Sequence, residues 1–189
     1  QSVATVNLIH DLVIYNCQLI AAGDFTQINS VPANRIAAWD GSQWTALGSG
    51  TNGPVRALAV HNGKLYAGGS FTSAGGNPNS NHIAEWDGSN WSNLDDGVSS
   101  STVPATVGAL LSTSSGLVVA GIFDNAGVMS NLSTQHIALW NDTAWTDNFN
   151  SNFNGHVNSL YQSGNDLYAG GFFSTPHNSI SRWDGTSWN

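Results

Sequence analysis

Charged side chains are scarce in this sequence. Only 8% of its 189 residues are Asp, Glu, Lys or Arg, against roughly 25% in an ordinary soluble domain. Positive charge is the scarcer sign, with 4 Lys and Arg against 12 Asp and Glu and a net charge of −8. Arg35, Arg56, Lys64 and Arg182 are scattered along the chain. They form no basic stripe that could track a phosphate backbone or an anionic bilayer, so nucleic acid is not an expected partner. No apolar run approaches the ~20 residues of a membrane-crossing helix, and membrane insertion is not expected either. Cysteine is reduced to Cys17, which excludes an internal disulfide. Cys17 occupies the slot that Gly63 fills in the next repeat, and it reads as a small, half-buried apolar residue. No secretory leader is read at the start of this sequence, and Gln1 reads as a processed N-terminus or an arbitrary boundary. Polarity comes instead from Asn, Ser, Thr and Gly. A surface hydrated through such neutral groups points to a secreted or cell-surface protein.

Tryptophan, by contrast, is abundant and ordered. The 8 tryptophans fall into four pairs, Trp39/Trp44, Trp86/Trp91, Trp140/Trp145 and Trp183/Trp188. Each pair sits in one phrase: IAAWDGSQW at 36–44, IAEWDGSNW at 83–91, IALWNDTAW at 137–145 and ISRWDGTSW at 180–188. A self-similar period of roughly 43–54 residues marks a propeller or a solenoid. Units that bury their faces on one another cannot be separated. We therefore read residues 1–189 as a single domain or propeller segment, with repeats at about 1–50, 51–97, 98–149 and 150–189.

Each repeat resolves into four short strands, A to D. Strand A is VRALAV at 55–60, with counterparts at 9–14, 107–111 and 157–161. Strand B is LYAGGSF at 65–71, recurring at 19–25, 117–123 and 167–173. Strand C is IAEW at 83–86, and strand D begins at Trp91. Short β-rich runs between Gly, Asn and Ser clusters are an all-β signal, and no stretch carries a helical apolar period. Asn62-Gly63 predicts a type I′ hairpin between A and B. A two-residue loop at Gly41-Ser42 would set Trp39 opposite Trp44 on one face. The third copy has Asp142 in place of that glycine, which predicts a strained turn or another turn type. Gly23, Gly69, Gly121 and Gly171 align inside strand B. Glycine there implies a close approach, expected from the neighbouring blade. Phe25, Phe71, Phe123 and Phe173 lie two residues further on and share that face. The eight tryptophans, four glycines and four phenylalanines are thus expected to be structural, with the indoles as inter-blade core.

A Gly-Gly strand followed by a tryptophan hairpin resembles the Kelch motif. The repeat is similar to the Kelch-like, galactose-oxidase-central-domain type found in secreted bacterial repeat proteins and fungal cortical polarity markers. The residues that carry this are LYAGGSFTSAGG at 65–76 and IAEWDG at 83–88. Repeats three and four depart from it, with Asn141-Asp142 for Asp-Gly and no second Gly-Gly after Phe173. The resemblance implies an all-β propeller of four four-stranded blades and says little about activity. The Trp-Asp pairs are similar to WD repeats, but the Gly-His partner of that family is missing. Sialidase Asp-boxes space aspartate and glycine differently. Galactose oxidase chemistry needs a copper site and a Tyr–Cys crosslink, which Tyr15, Asn16 and Cys17 do not establish.

Length variation is concentrated in the B–C loops (26–35, 72–82, 124–136, 174–179) and the D–A loops (48–54 against 95–106). In up-and-down blades these emerge on one face, and variable loops on a rigid scaffold are the usual carriers of binding. On that face the candidate binding residues are Asp95, Asp96, Asp124, His82 and His136. His82 and His136 each precede the strand C isoleucine. Equivalent positions in adjacent blades are too far apart to share a metal, so loop-base hydrogen bonds are the expected role. Asp95-Asp96 lacks the spaced oxygens of a calcium loop. No metal or other cofactor is expected. Asn90, Asn131 and Asn141 fit the N-glycosylation pattern. No Ser/His/Asp set, carboxylate pair or phosphate loop can be placed from the sequence.

The expected function is therefore a non-catalytic extracellular propeller that binds or scaffolds a protein or glycan through the variable-loop face. Two alternatives are a lectin-like propeller and a structural subunit of a cell-surface or filamentous assembly. The fourth repeat stops at Trp188-Asn189, within a blade. Three closures fit: a tight four-bladed ring, part of a longer propeller, or self-association of copies.

Overall fold

Short apolar runs broken by Asn, Gly and Ser turns become hairpins, and the hairpins assemble into radial sheets. A computed structural model describes residues 7–127 and 132–189; the glycosylation motif at Asn131 and the terminal Gln1 lie outside these. No helix occurs among the described residues. Blade one contains β1 (Leu8–Tyr15), β2 (Gln18–Asp24), the loop hairpin β3 (Gln27–Ile28) and β4 (Val31–Pro32), then β5 (Ile36–Trp39) and β6 (Trp44–Ala46). Blade two is β7 (Val55–His61), β8 (Lys64–Gly69), β9 (Ile83–Trp86) and β10 (Trp91–Asn93). A loop strand β11 (Val98–Ser99) precedes blade three, which has β12 (Thr106–Thr113), β13 (Gly116–Ile122), loop strands β14 (Asn125–Ala126) and β15 (Leu132–Ser133), β16 (Ile137–Trp140) and β17 (Trp145–Thr146). Blade four is β18 (His156–Ser163), β19 (Asp166–Phe172) and β20 (Ile180–Trp183).

The first three blades are four-stranded antiparallel sheets in A-B-C-D order. Blade four has three strands, and its outer edge is a Trp183–Trp188 bridge. Four complete four-stranded blades were expected; the last edge is shorter because only that bridge and the reciprocal Arg182–Asn189 backbone bonds form there.

The turns follow local chemistry. Asn62 and Gly63 adopt φ of 46° and 75°, as a type I′ hairpin requires. Asn16 and Cys17 adopt 47° and 60° in the same turn. Cys17 is exposed there rather than half-buried, because the turn tip projects beyond the sheet. In the C–D turn the Asp40 backbone N–H donates to the Gln43 carbonyl, and the Asp40 carboxylate accepts from Gln43 and Ser42. The Gln43 and Ser42 hydrogen bonds hold that carboxyl down at about 2. Asp142 keeps the same turn with a left-handed φ of 74°, where its glycine counterpart Gly41 has 101°. These register Trp39 with Trp44, Trp86 with Trp91 and Trp140 with Trp145.

Every strand A carries a β-bulge at the same rung, between Ile9/Asp11, Val55/Ala57, Val107/Ala109 and Val157/Ser159. Gly23, Gly69, Gly121 and Gly171 sit opposite that bulge. A Cβ on any of them would strike the carbonyl oxygen of Leu8, Pro54, Thr106 or His156 respectively. The close approach comes from the same blade's bulged strand, not from the neighbouring blade. The neighbour presses one residue earlier, where a Cβ on Gly68 would meet the Val107 side chain.

Each blade has a forward face and a rear face. The forward face of blade one (Ile20, Ala22, Ile36, Leu47) packs on the rear face of blade two (Val55, Leu65, Phe71, Trp86, Trp91). Blade two repeats this on blade three, and blade three on blade four. The indoles of Trp86, Trp91, Trp140 and Trp145 are buried in these seams, as are Phe71, Phe123 and Phe173. Phe25 is buried in a smaller cluster with Ala33 and Ala37 on blade one's rear side. Trp39, Trp44, Trp183 and Trp188 are half-buried. The strands A pack in succession, β1 on β7, β7 on β12 and β12 on β18, and form the inner edge of an arc. Blade four does not return to pack on blade one, so the sheets do not close into a four-bladed ring.

The bulge makes a sharp prediction. Gly121→Ala forces the bulged strand to move and should cost about 1–3 kcal/mol. Gly108→Ala, where the added Cβ meets nothing closer than 3.8 Å, should stay within about 0.5 kcal/mol. Urea unfolding midpoints of the two variants check this; equal midpoints would refute the bulge argument.

Candidate functional site

The variable loops are built by pairing the D–A loop of one blade with the B–C loop of the next. Thr51 bridges Ala74, and the Gly75 N–H donates to the Gly50 carbonyl at 2.8 Å. At the next seam β11, β14 and β15 form a small three-stranded sheet, and the Gly127 N–H donates to the Gly97 carbonyl. Side-chain amides add staples. Asn52 Oδ1 accepts from the Thr72 and Ser73 N–H groups, and Asn154 Oδ1 from those of Ser174 and Thr175. The loop face is thus held mainly by backbone pairing and amide staples, with the Arg35 guanidinium adding one bond to the Thr51 carbonyl.

The five candidate residues belong largely to this stitching. His82 and His136 have φ of 68° and 75°, and so do their counterparts Arg35 and Ser179, at 65° and 63°. In all four the N–H donates to the carbonyl of the strand B phenylalanine, and the carbonyl accepts from a strand B glycine. Three different side chains carry one backbone duty at these four positions, so the position is set by geometry and not by imidazole chemistry. The backbone, and not the ring, bonds the loop base. Nδ1 of each ring is buried with no partner, and burial pushes both pKa values down. Asp95 and Asp96 form a left-handed turn closed by the Gly97 N–H on the Leu94 carbonyl. The Asp96 carbonyl accepts from Asn81 Nδ2, while Asp95 is exposed. Asp124 accepts from Ser100 Oγ at 2.8 Å and from the Ser101 N–H at 3.1 Å. Burial raises its pKa, but these bonds outweigh burial and leave it lowered.

Two of the five meet. Asp124 acts electrostatically on His136, which also lies 6.1 Å, ring to ring, from His156. His156 was missed in the sequence because its counterparts are Leu8, Pro54 and Thr106; its place at the loop end of strand A was the available signal. Asp95, Asp96 and His82 do not join this group. Among the described residues no set of three or more His, Cys, Asp or Glu could hold a metal ion.

The opposite face brings together residue types that the sequence could not place. His61 Nδ1 lies 2.8 Å from Ser112 Oγ across the seam between blades two and three. Its Nε2 lies 3.2 Å from Asn62 Nδ2 and 3.4 Å from Asp142 Oδ1. Asn62 Nδ2 also donates to Asp142 Oδ2. Two tautomers fit these contacts: with Nε2 accepting from the amide, Nδ1–H donates to the serine, and with Nε2–H turned to Asp142 Oδ1, Nδ1 accepts from the serine hydroxyl. A nucleophilic serine requires the second, with the hydroxyl giving its proton to the ring. The set is a Ser–His–Asp array in composition, and its contacts clasp blade two to blade three.

Three shallow depressions accompany these features. One of about 380 Å³ lies on the loop face between Asn34, Arg35, Thr51 and Asn52. One of about 360 Å³ lies at the rim, where Trp188, Phe149, Asn150, Asn152 and Gln135 converge. One of about 410 Å³ lies between blades three and four and includes Ser114, Ser115 and Asn165.

Comparison with known proteins agrees on architecture and stops there. A family model described as a β-propeller domain of unknown function, DUF5122, matches residues 62–85. This supports a β-propeller repeat and does not single out the Kelch-like or galactose-oxidase type. No curated protein matches the chain. Among solved structures it is similar to the computationally designed Ika8 protein, at 13% identity and a TM-score of 0.54. The match covers 95% of this chain and 46% of the designed one. At that identity the likeness speaks to the fold only.

The half-buried imidazoles of His82 and His136 set a pH dependence. His82 and His136 have folded-state pKa values below the ordinary 6.5. The unfolded chain therefore binds more protons as pH falls through that value, and stability drops below about pH 6.5. The lowered aspartates contribute only below their ordinary 3.8. Melting temperature should fall between pH 7.5 and pH 5, and His82→Gln should flatten that slope. An unchanged slope would show that His82 is not buried neutral.

Proposed function

We propose that this chain is a non-catalytic, extracellular β-propeller module, of Kelch-like type, that binds or scaffolds through its loop face. One observation carries the reading: adjacent blades present loops already paired by backbone bonds, so a partner meets an ordered hydrogen-bonding platform. Pre-ordering removes much of the entropy that mobile loops would lose on binding. The paucity of charge and the Asn, Ser and Thr surface support a location outside the cell.

Carbohydrate is the second reading, and the rim depression favours it. Half-buried Trp188 lies there beside Asn150, Asn152 and Gln135, an aromatic surface flanked by amides of the kind that holds a sugar ring.

Two experiments test this. Replacing the exposed loop segment at 100–103 with glycine and serine should weaken binding to the protein's target surface by about tenfold, as loss of a contact worth about 1.4 kcal/mol does. Substituting Ser114 and Ser115 on the opposite face should not. Equal losses from both would sink the loop-face assignment. On a glycan array, Asn152→Ala should weaken any signal without altering the melting temperature. Ser112→Ala should leave hydrolysis of an activated ester at the wild-type background; a loss of turnover would restore an enzyme reading.

A further inference from the structure

The two ends of the arc expose apolar faces that the interior of the same molecule buries. Ile180 precedes strand C's tryptophan as Ile36, Ile83 and Ile137 do. Those three are 0% exposed, and Ile180 is 61% exposed. Ile9 follows the same pattern at the other end: its counterparts Val55, Val107 and Val157 are all at 0%, while Ile9 is at 45%. Leu58 is 6% exposed and its counterpart Leu12 is 55% exposed. Tyr161 and Phe172 add to the open forward face of blade four. Ile14, with half-buried Trp39 and Trp44, adds to the open rear face of blade one. Side chains of the same kind are buried in the seams and bare at the ends.

The interior also states what each end fits. Every seam joins a forward face to the rear face of the following blade. The molecule has one forward face and one rear face left over, at opposite ends. We propose that a second copy of this chain covers both, with blade four of each copy seated on blade one of the other. Two such seams are related by a two-fold axis and close a ring of eight blades, within the ~4–8 that propellers use. A head-to-tail contact of this kind leaves no open end when its rotation closes, and grows into a filament when it does not. Further blades on one polypeptide would offer the same chemistry. A second copy of the 189-residue chain carries both matching faces, one forward and one rear. The inference is independent of the loop-face reading, since the seams and loops are different surfaces.

Sedimentation velocity tests it. The chain should run as a dimer at about 10 μM, a concentration that populates a complex of micromolar or tighter affinity. Leu12→Asp and Ile180→Asp should each weaken dimerisation by about tenfold or more, as loss of a central anchor does. Both side chains are exposed, so far-UV dichroism and tryptophan emission should be retained. Ile14→Lys and Tyr161→Lys serve as a second pair should either aspartate variant unfold. Mixing the Leu12→Asp and Ile180→Asp proteins should restore a weaker dimer, because one intact seam remains between them. A monomer at all concentrations would overturn the proposal. So would an Ile180→Asp protein that dimerises fully, since blade-one faces would then pair with themselves, and so would open filaments in electron micrographs. Loop-face binding by the monomeric variants is read separately.

Discussion

Everything in this structure depends on one contact, the wedge that the rear face of each blade drives into the forward face of the blade before it. Its core is the tryptophan hairpin. The paired indoles lie 5.3 Å apart in blades two and three, with centroids offset and planes inclined, the geometry that aromatic quadrupoles favour. The second indole also hooks the previous blade. Nε1 of Trp91 donates to the Leu47 carbonyl, Trp145 to Leu94 and Trp188 to Phe149. Dispersion and apolar burial hold the seam, and a directed hydrogen bond fixes its register. A leucine in place of the indole would keep part of the first contribution and lose the second.

Much of this was legible in the sequence because the repeat repeats its physics. Cross-strand indole pairing followed from the length of the Asp-Gly turn, and the A–B hairpin from Asn-Gly. The glycines of strand B were a harder case. Their need for close approach could be read, but its source could not. A β-bulge changes which residue faces which without leaving a signature in composition. His10, Arg56, Gly108 and Asn158 occupy the extra position and share no chemistry. Only coordinates show that the intruding atom is a carbonyl of the same blade.

The candidate site was less legible for a related reason. His82 and His136 stood out as histidines in equivalent places, yet Arg35 and Ser179 perform the same backbone task. What the position selects is tolerance of a left-handed φ, together with an N–H and a carbonyl. Asp124 likewise works as the acceptor that Asn52 and Asn154 provide at the other seams. The converse held for His61, Ser112 and Asp142. They are separated by long stretches of chain, and only the stacking of blades two and three brings them together. Chemistry that arises between blades cannot be read from any one repeat.

This division explains why the fold can be rigid and sparing of charge at once. Seams take their cohesion from apolar faces and indole hooks, and loops take theirs from backbone pairing. Neither requires ion pairs. The described ion pairs with a lysine or arginine, Lys64–Glu85 and Arg182–Asp166, both sit at partly exposed positions, where such pairs contribute little. Cohesion that resides in a face repeated from blade to blade has a further consequence. A side chain's burial then reports its place in the stack and not its identity, which is why Ile180 is bare where Ile83 is enclosed.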